Sequence, residues 1–195
     1  MTRTITIENV TALAKDWGRL DRYEVTHPRR DGTMQTVRRE VYDHGSAAAV
    51  LLYAPVAGTV VLARQFRLPP HLNGDPAWLI EAPAGLLDGE TPAVAARREA
   101  IEETGYEPEA MVFLFDAYMS PGSLTEKCAC FLGRYTPGNK LAEGGGLEEE
   151  GEDIEVFELA LDAALTMITS GEISDAKTIM MLQALALKLA AGDVV

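Results

Sequence analysis

The chain has 195 residues, 47% of them hydrophobic, and its 30 acidic against 17 basic side chains give a formal net charge of -13. That length suits one domain with an extension and is enough for a sizeable core. So acidic a chain has no excess of Lys and Arg to neutralise a phosphate backbone, which excludes general nucleic-acid binding, and no apolar run approaches the roughly 18 residues of a membrane span.

The opening MTRTITIENV has no apolar core of the kind a signal peptide needs, so a soluble, cytoplasmic protein is expected. Residues 1–44 alternate polar and apolar in short segments, ITIENV, DRYEVTHP and MQTVRREVYDHG, with Arg30-Asp31-Gly32 as a turn between the last two. This pattern predicts a small N-terminal β-sheet unit, with a second domain over 45–195. Residues 47–66 read as two apolar strands around Ala57-Gly58, and WLIEAPAG as a further strand leading into a glycine turn. A helix over about 92–104 follows, with Thr91 as N-cap, Pro92 at the first helical position and Gly105 after the last turn. Strands are expected near MVFLFDAYM and KCACFLGRY, then the acidic loop LAEGGGLEEEGED, the strand IEVFEL, and helices over 161–170 and 175–191. Cys128 and Cys130, two apart in a strand, point the same way and cannot easily bridge, which fits a reducing compartment. Strands on both sides of a central helix, closed by two helices, predict an α/β sandwich.

The central helix carries the strongest chemical signal. At about 100° per residue, Glu103 lies roughly 40° from Glu99 and Glu102 roughly 60° away on the other side, so the three share one face. Val94 and Ile101 fall nearly opposite. Like charges at this spacing repel, and Arg98 offers a single ion pair to relieve them; a hard divalent cation with oxygen ligands offers more. The plainer reading is a solvated acidic face.

The order Gly85, Glu90, Arg98, Glu99, Glu102, Glu103, Gly105 resembles the Nudix box. Only four residues separate Gly85 from Glu90, where the family pattern has five. Outside the box, VRREVYDHG, VVLARQFR, Asn73-Gly74, IEAPAGLLD, YMSPGSLTE, GGG before EDIEV, and DAKT occur in the order found in bacterial GDP-mannose hydrolases, a Nudix subfamily that shares the shortened turn. Related ADP-ribose and ADP-sugar pyrophosphatases share several of these segments. The resemblance implies a Nudix α/β/α sandwich with a small N-terminal β unit that serves dimerisation and substrate contact in a homodimer.

It also implies residue roles. Glu99, Glu103, the carbonyl of Ala84 and Glu152 from the late loop correspond to ligands of Mg²⁺; Glu148, Glu149 and Glu150 are alternatives for the loop ligand. Trp17, Arg38, Arg39, Glu40, Arg67, Ala84, Gly85, Glu103, Glu126, Glu152, Lys177 and Thr178 match substrate-contacting positions. Arg38, Arg39 and Glu40 are consecutive on a predicted strand, so they cannot all point to one side. The implied reaction is Mg²⁺-dependent hydrolysis of GDP-mannose to GMP and mannose 1-phosphate. Glu103 belongs to its catalytic set, with Glu102, Glu126 and Glu152 as alternative bases for the attacking water. ADP-ribose or an ADP-sugar is the alternative substrate, and a non-catalytic nucleotide-sensing module the alternative class.

Overall fold

The apolar run from 47 to 66 forms the centre of the larger sheet. The computed structural model describes residues 4–193; residues 1–3 and 194–195, the ends of the two expected spans, lie outside it. The chain divides into two compact units, the first holding the residues up to Ser46 together with Tyr118–Lys127, the second Ala47–Ala117 and Cys128 onward.

The first unit is a three-stranded antiparallel sheet of β1 (Thr6–Lys15), β2 (Arg19–Pro28) and β3 (Met34–Asp43), in that order. Asp31 builds the β2–β3 turn by accepting hydrogen bonds from the backbone N–H and hydroxyl of Thr33, as an Asx turn does. In the β2–β3 register Arg22 faces Glu40, Tyr23 faces Arg39 and Glu24 faces Arg38. Arg38 and Glu40 therefore share one face and Arg39 takes the other, as the alternation requires.

The second unit carries a seven-stranded sheet. Its main path runs β10 (Glu155–Ala160), β5 (Thr59–Phe66), β4 (Ala47–Ala54), β9 (Lys127–Arg134), β8 (Ala110–Tyr118), with β6 (Trp78–Glu81) on β5 and β7 (Ala84–Leu86) on β4. β4 and β9 are parallel, while β4 and β5 form an antiparallel pair. Every residue of β4 is buried, which explains why its sequence is apolar throughout and not alternating. The short α1 (Leu68–Leu72), opened by two prolines, is an element that the sequence pattern does not predict.

Helix α2 (Pro92–Thr104) forms where expected and ends on Gly105 in the left-handed conformation. Thr91 occupies the N-cap position, yet its side chain makes no capping hydrogen bond. The helix packs on β4 through alanines: Ala95, Ala96 and Ala100 join Ala48, Val50, Leu52 and Phe131 in one buried cluster. Small side chains let the helix axis approach the sheet closely, which brings its glutamates under cover. Strand alternation leaves Ala49 and Leu51 for the opposite face, and α4 (Ala176–Ala190), which also packs on β4, buries Met181, Leu182 and Leu185. α3 (Leu161–Ser170) packs on β5, β10 and α4, completing an α/β/α arrangement. The thiols of Cys128 and Cys130 are both buried.

Candidate active site

The carboxylates of α2 are not a solvated face. Glu99 is 7% exposed and Glu103 1%, while the apolar Val94 is 52% exposed. One helical turn, about 5.4 Å of rise, separates Glu99 from Glu103, so burial forces two acidic groups together.

Arg98 stabilises the outer part of the cluster. Its Nη1 donates to Glu99 Oε1 at 2.8 Å and to Glu102 Oε2 at 2.9 Å, its Nε to Glu90 Oε2 at 2.9 Å, and its Nη2 to the Leu86 carbonyl at 3.0 Å. Glu90, on the shortened turn, thus anchors the arginine that holds Glu99 and Glu102. Glu103 has far less. The backbone N–H of Ala84 donates to its Oε1 at a long 3.4 Å, and its buried Oε2 has no hydrogen-bond partner.

The electrostatics follow from these contacts. Burial pushes the Glu99 carboxyl up to about 7, with Arg98 opposing and Glu102 and Glu152 adding repulsion. Burial raises Glu103 further, to about 8, reinforced by Glu99 and Glu152 and opposed by the Ala84 N–H and the charge of Lys177. An enclosed carboxylate without a partner is costly to ionise. A cation beside it removes that cost.

The late loop is tied to the same helix. Gly145 N–H donates to the Glu103 carbonyl at 2.8 Å and Gly146 N–H to the Glu102 carbonyl at 3.1 Å. These bonds use the otherwise unsatisfied carbonyls at the helix end to fix the loop. Glu152 turns its Oε2 back onto the Leu147 N–H, 2.9 Å away, and its charge reaches both Glu99 and Glu103. Glu148 and Glu149 lie on a short 3₁₀ turn with Glu150, whose side chain is outside the described residues.

Among the described residues, no three His, Cys, Asp or Glu side chains are grouped so as to enclose a metal ion by themselves. The donors nonetheless fit a hard divalent cation: an unpartnered buried carboxylate oxygen on Glu103, a second buried carboxylate on Glu99, and the backbone of Ala84 alongside.

A second polar group lies in the same unit. Arg67 clasps Glu81, Nε to Oε1 at 2.7 Å and Nη2 to Oε2 at 3.2 Å. Lys177 also donates to Glu81 and stands 3.1 Å from Asp175. Asp175 caps α4 by accepting from the Thr178 N–H at 2.9 Å, and the Thr178 hydroxyl, bonded to Asp175, accepts from the Ala82 N–H at 2.7 Å. Burial works to raise the Glu81 carboxyl, but Lys177 and Arg67 hold it below the usual carboxylate range. Burial likewise works to lower Lys177, and Glu81 with Asp175 outweighs it.

Of the residues singled out in the sequence, the second unit thus gathers Ala84, Gly85, Glu99, Glu102 and Glu103 at one place with the loop of Glu152, and links Arg67 to Lys177 and Thr178. Glu81, which makes that link, is not among them, although a lone acid in the apolar strand WLIE is a visible signal. In the first unit Trp17 and Glu126 both approach His44, with centroids 5.0 Å apart for Trp17 and an oxygen 3.7 Å away for Glu126. Arg38 meets Glu24 at 3.4 Å, and Arg39 donates to the Arg38 carbonyl.

This arrangement of glycine turn, glutamate helix and late acidic loop coincides with a match to the NUDIX domain over residues 43–182. The chain belongs to the Nudix family of hydrolases, which generally use a divalent metal ion. Residues 4–42 match the GDP-mannose pyrophosphatase NudK N-terminal domain. Among similar proteins is a GDP-mannose pyrophosphatase of Yersinia pestis (strain Pestoides F), 45% identical over 183 residues that cover 92% of this chain and 91% of the relative. A protein of that name from Pectobacterium atrosepticum is 45% identical over 94% of each chain, and one from Yersinia enterocolitica 44% identical over 92% of this chain and 95% of its own.

Proposed function

We propose that this protein is a Mg²⁺-dependent nucleotide-sugar diphosphatase that hydrolyses GDP-mannose to GMP and mannose 1-phosphate. The observation that carries the reading is Glu103, buried with an unpartnered carboxylate oxygen beside the buried Glu99. The choice of substrate is supported by similarity to the GDP-mannose pyrophosphatases across both the Nudix domain and the N-terminal sheet.

In this reading Glu99, Glu103, the Ala84 carbonyl and Glu152 hold the cation, with Gly85 letting the turn close on them. Mg²⁺, when bound, neutralises charge on the diphosphate oxygens as the bond breaks. Water adds to one phosphorus, the bridging P–O bond breaks, and the leaving phosphate carries away the electron pair. A carboxylate takes the water's proton, for which Glu102, Glu126 and Glu152 are the available bases. Arg67 and Lys177 offer cationic donors to the far phosphate oxygens, with Thr178 holding Asp175 beside Lys177, while Trp17, Arg38, Arg39 and Glu40 contact the base and sugar.

The N-terminal sheet serves dimerisation and substrate contact in a homodimer, a role its exposed Ile7, Val10 and Met34 support. The buried thiols of Cys128 and Cys130 suit a cytoplasmic protein.

The test is turnover of GDP-mannose, ADP-ribose, ADP-glucose and UDP-glucose by purified protein, with Mg²⁺ and with chelator, alongside light scattering. Metal-dependent release of GMP, fastest from GDP-mannose, and a dimeric mass are expected. Preference for an adenine nucleotide would move the substrate to the ADP-sugar class, and binding without release would make the protein a sensor.

A further inference from the structure

Three segments of the first unit meet at one side chain that the proposed reaction leaves without a role. The imidazole of His44 lies against the indole of Trp17, with ring centroids 5.0 Å apart and planes 18° from parallel. Tyr42 leans on both rings, its centroid 5.5 Å from that of His44 and 6.5 Å from that of Trp17. Gly18 makes room for this approach, since a Cβ there would fall 2.5 Å from the Tyr42 hydroxyl. On another side His44 Nε2 stands 3.7 Å from Glu126 Oε2. The loop carrying Glu126 is stitched to the end of β3: Tyr42 N–H donates to the Ser123 carbonyl, Thr125 N–H to the Tyr42 carbonyl, and the Thr125 hydroxyl to Asp43.

His44 is an unusual choice for so enclosed a position. Its side chain is 13% exposed, its Nδ1 is buried with no hydrogen-bond partner, and the distance from Nε2 to Glu126 exceeds a hydrogen bond. A polar ring held this way costs stability. What it supplies is a flat support. It covers one face of an indole that is otherwise 71% exposed, leaving the other face free for a planar ligand.

We propose that His44 is a positioning residue for substrate selection, fixing the indole of Trp17 so that its outer face stacks on the planar base of the nucleotide sugar. The proposal rests on the assignment of Trp17 to the substrate made above. Without a ring behind it, an exposed tryptophan is free to change rotamer, and binding must then order it. Stacked aromatic rings prefer offset, near-parallel packing, so a base, the indole and the imidazole form one continuous stack.

The test uses the Trp78→Phe background, in which Trp17 is the only indole. In that background His44→Ala should raise KM for GDP-mannose about threefold to tenfold, the range a single aromatic stack supports, with kcat within about twofold. His44→Phe, which keeps the flat ring without its nitrogens, should restore KM. In a Trp17→Ala chain, His44→Ala should have no further effect, because the residue on which it acts is gone. Titration with GDP should quench Trp17 emission, with weaker binding in His44→Ala than in His44→Phe.

Unchanged KM in His44→Ala, equal impairment in His44→Phe, or a full additional effect in the Trp17→Ala chain would each overturn the proposal. A parent protein that turns over a different nucleotide sugar would correct the substrate reading alone, and the same comparisons would then be made with that sugar. A parent inactive on all of them would remove the proposed reaction, and the GDP titration would still decide the role of His44.

Discussion

Gly85 lies directly beneath Glu99: a Cβ at Gly85 would fall 2.0 Å from Glu99 Oε1 and 2.3 Å from its carboxyl carbon. The glycine is therefore required by a close approach and not by its backbone dihedrals, since its φ is not positive. Gly85→Ala should leave the fold intact and push the Glu99 carboxylate out of place. We expect turnover to fall about tenfold to a hundredfold, as when the supporting shell of a metal site is disturbed, with a circular dichroism spectrum like that of the parent. Unaltered kcat/KM in this variant would remove Glu99 from the site.

Glu103→Gln separates catalysis from folding. The substitution keeps the shape of a side chain that is 1% exposed and removes a charge that burial and Glu99 both oppose. Turnover should drop by at least about a hundredfold, because the charge that compensates the cation is lost. In chelator at neutral pH the variant should melt at or above the parent temperature, since a neutral amide can be buried without the proton uptake that the raised Glu103 carboxyl requires there. Near-parental turnover would refute the metal assignment.

The two raised carboxyls make metal-free stability depend on pH in a defined direction. Glu99 titrates at about 7 and Glu103 at about 8, both above the ordinary carboxylate value of 4.5. A carboxyl with a raised pKa in the fold contributes stability that is complete below its unfolded value and is lost as pH climbs through the folded one. Melting temperature in chelator should therefore fall from about pH 5 to about pH 8. The lowered carboxyl of Glu81 acts outside this window, losing its contribution only as pH falls below the ordinary value. Mg²⁺ competes with the protons, so the thermal shift it produces should grow over the same interval. A flat or rising metal-free profile, or a Mg²⁺ shift independent of pH, would contradict the pairing of these residues with a cation.

The fold was legible wherever local pattern decides structure. Helix α2 could be read to the residue because Thr91, Pro92 and Gly105 mark its ends, and β4 because an apolar run flanked by turns has few other uses. What could not be read is which face of α2 is buried. Val94 and Ile101 suggested an apolar side opposite the glutamates, but the helix packs through Ala95, Ala96 and Ala100, and their small size takes Glu99 and Glu103 inward with them. Arg98 was expected to offer one ion pair and makes four, with Asp88, Glu90, Glu99 and Glu102, the first two because the turn carrying them folds back over the helix, a tertiary fact with no sequence period. Glu81 stands out locally as a lone acid in an apolar strand, but nothing in the pattern names its partners, which are 14 and 96 residues away, and His44 likewise meets Trp17 and Glu126 from segments distant in sequence.

The clamp on Arg67 and Lys177 gives the remaining prediction. Glu81 is 2% exposed and accepts from both cations, while Lys177 keeps Asp175 as a second partner. Glu81→Gln removes the shared negative charge and leaves two cations facing a neutral amide. Breaking a buried ion pair from one side costs about 3 to 5 kcal/mol, so a marked loss in melting temperature is expected, with a rise in KM as Arg67 loses its fixed orientation. The double variant Glu81→Gln, Lys177→Met should recover much of the stability, because the stranded cation is gone, but not the KM. If stability returned and KM returned with it, Lys177 and the orientation of Arg67 would have no part in holding substrate. A single variant as stable as the parent would mean that Asp175 alone suffices to hold Lys177.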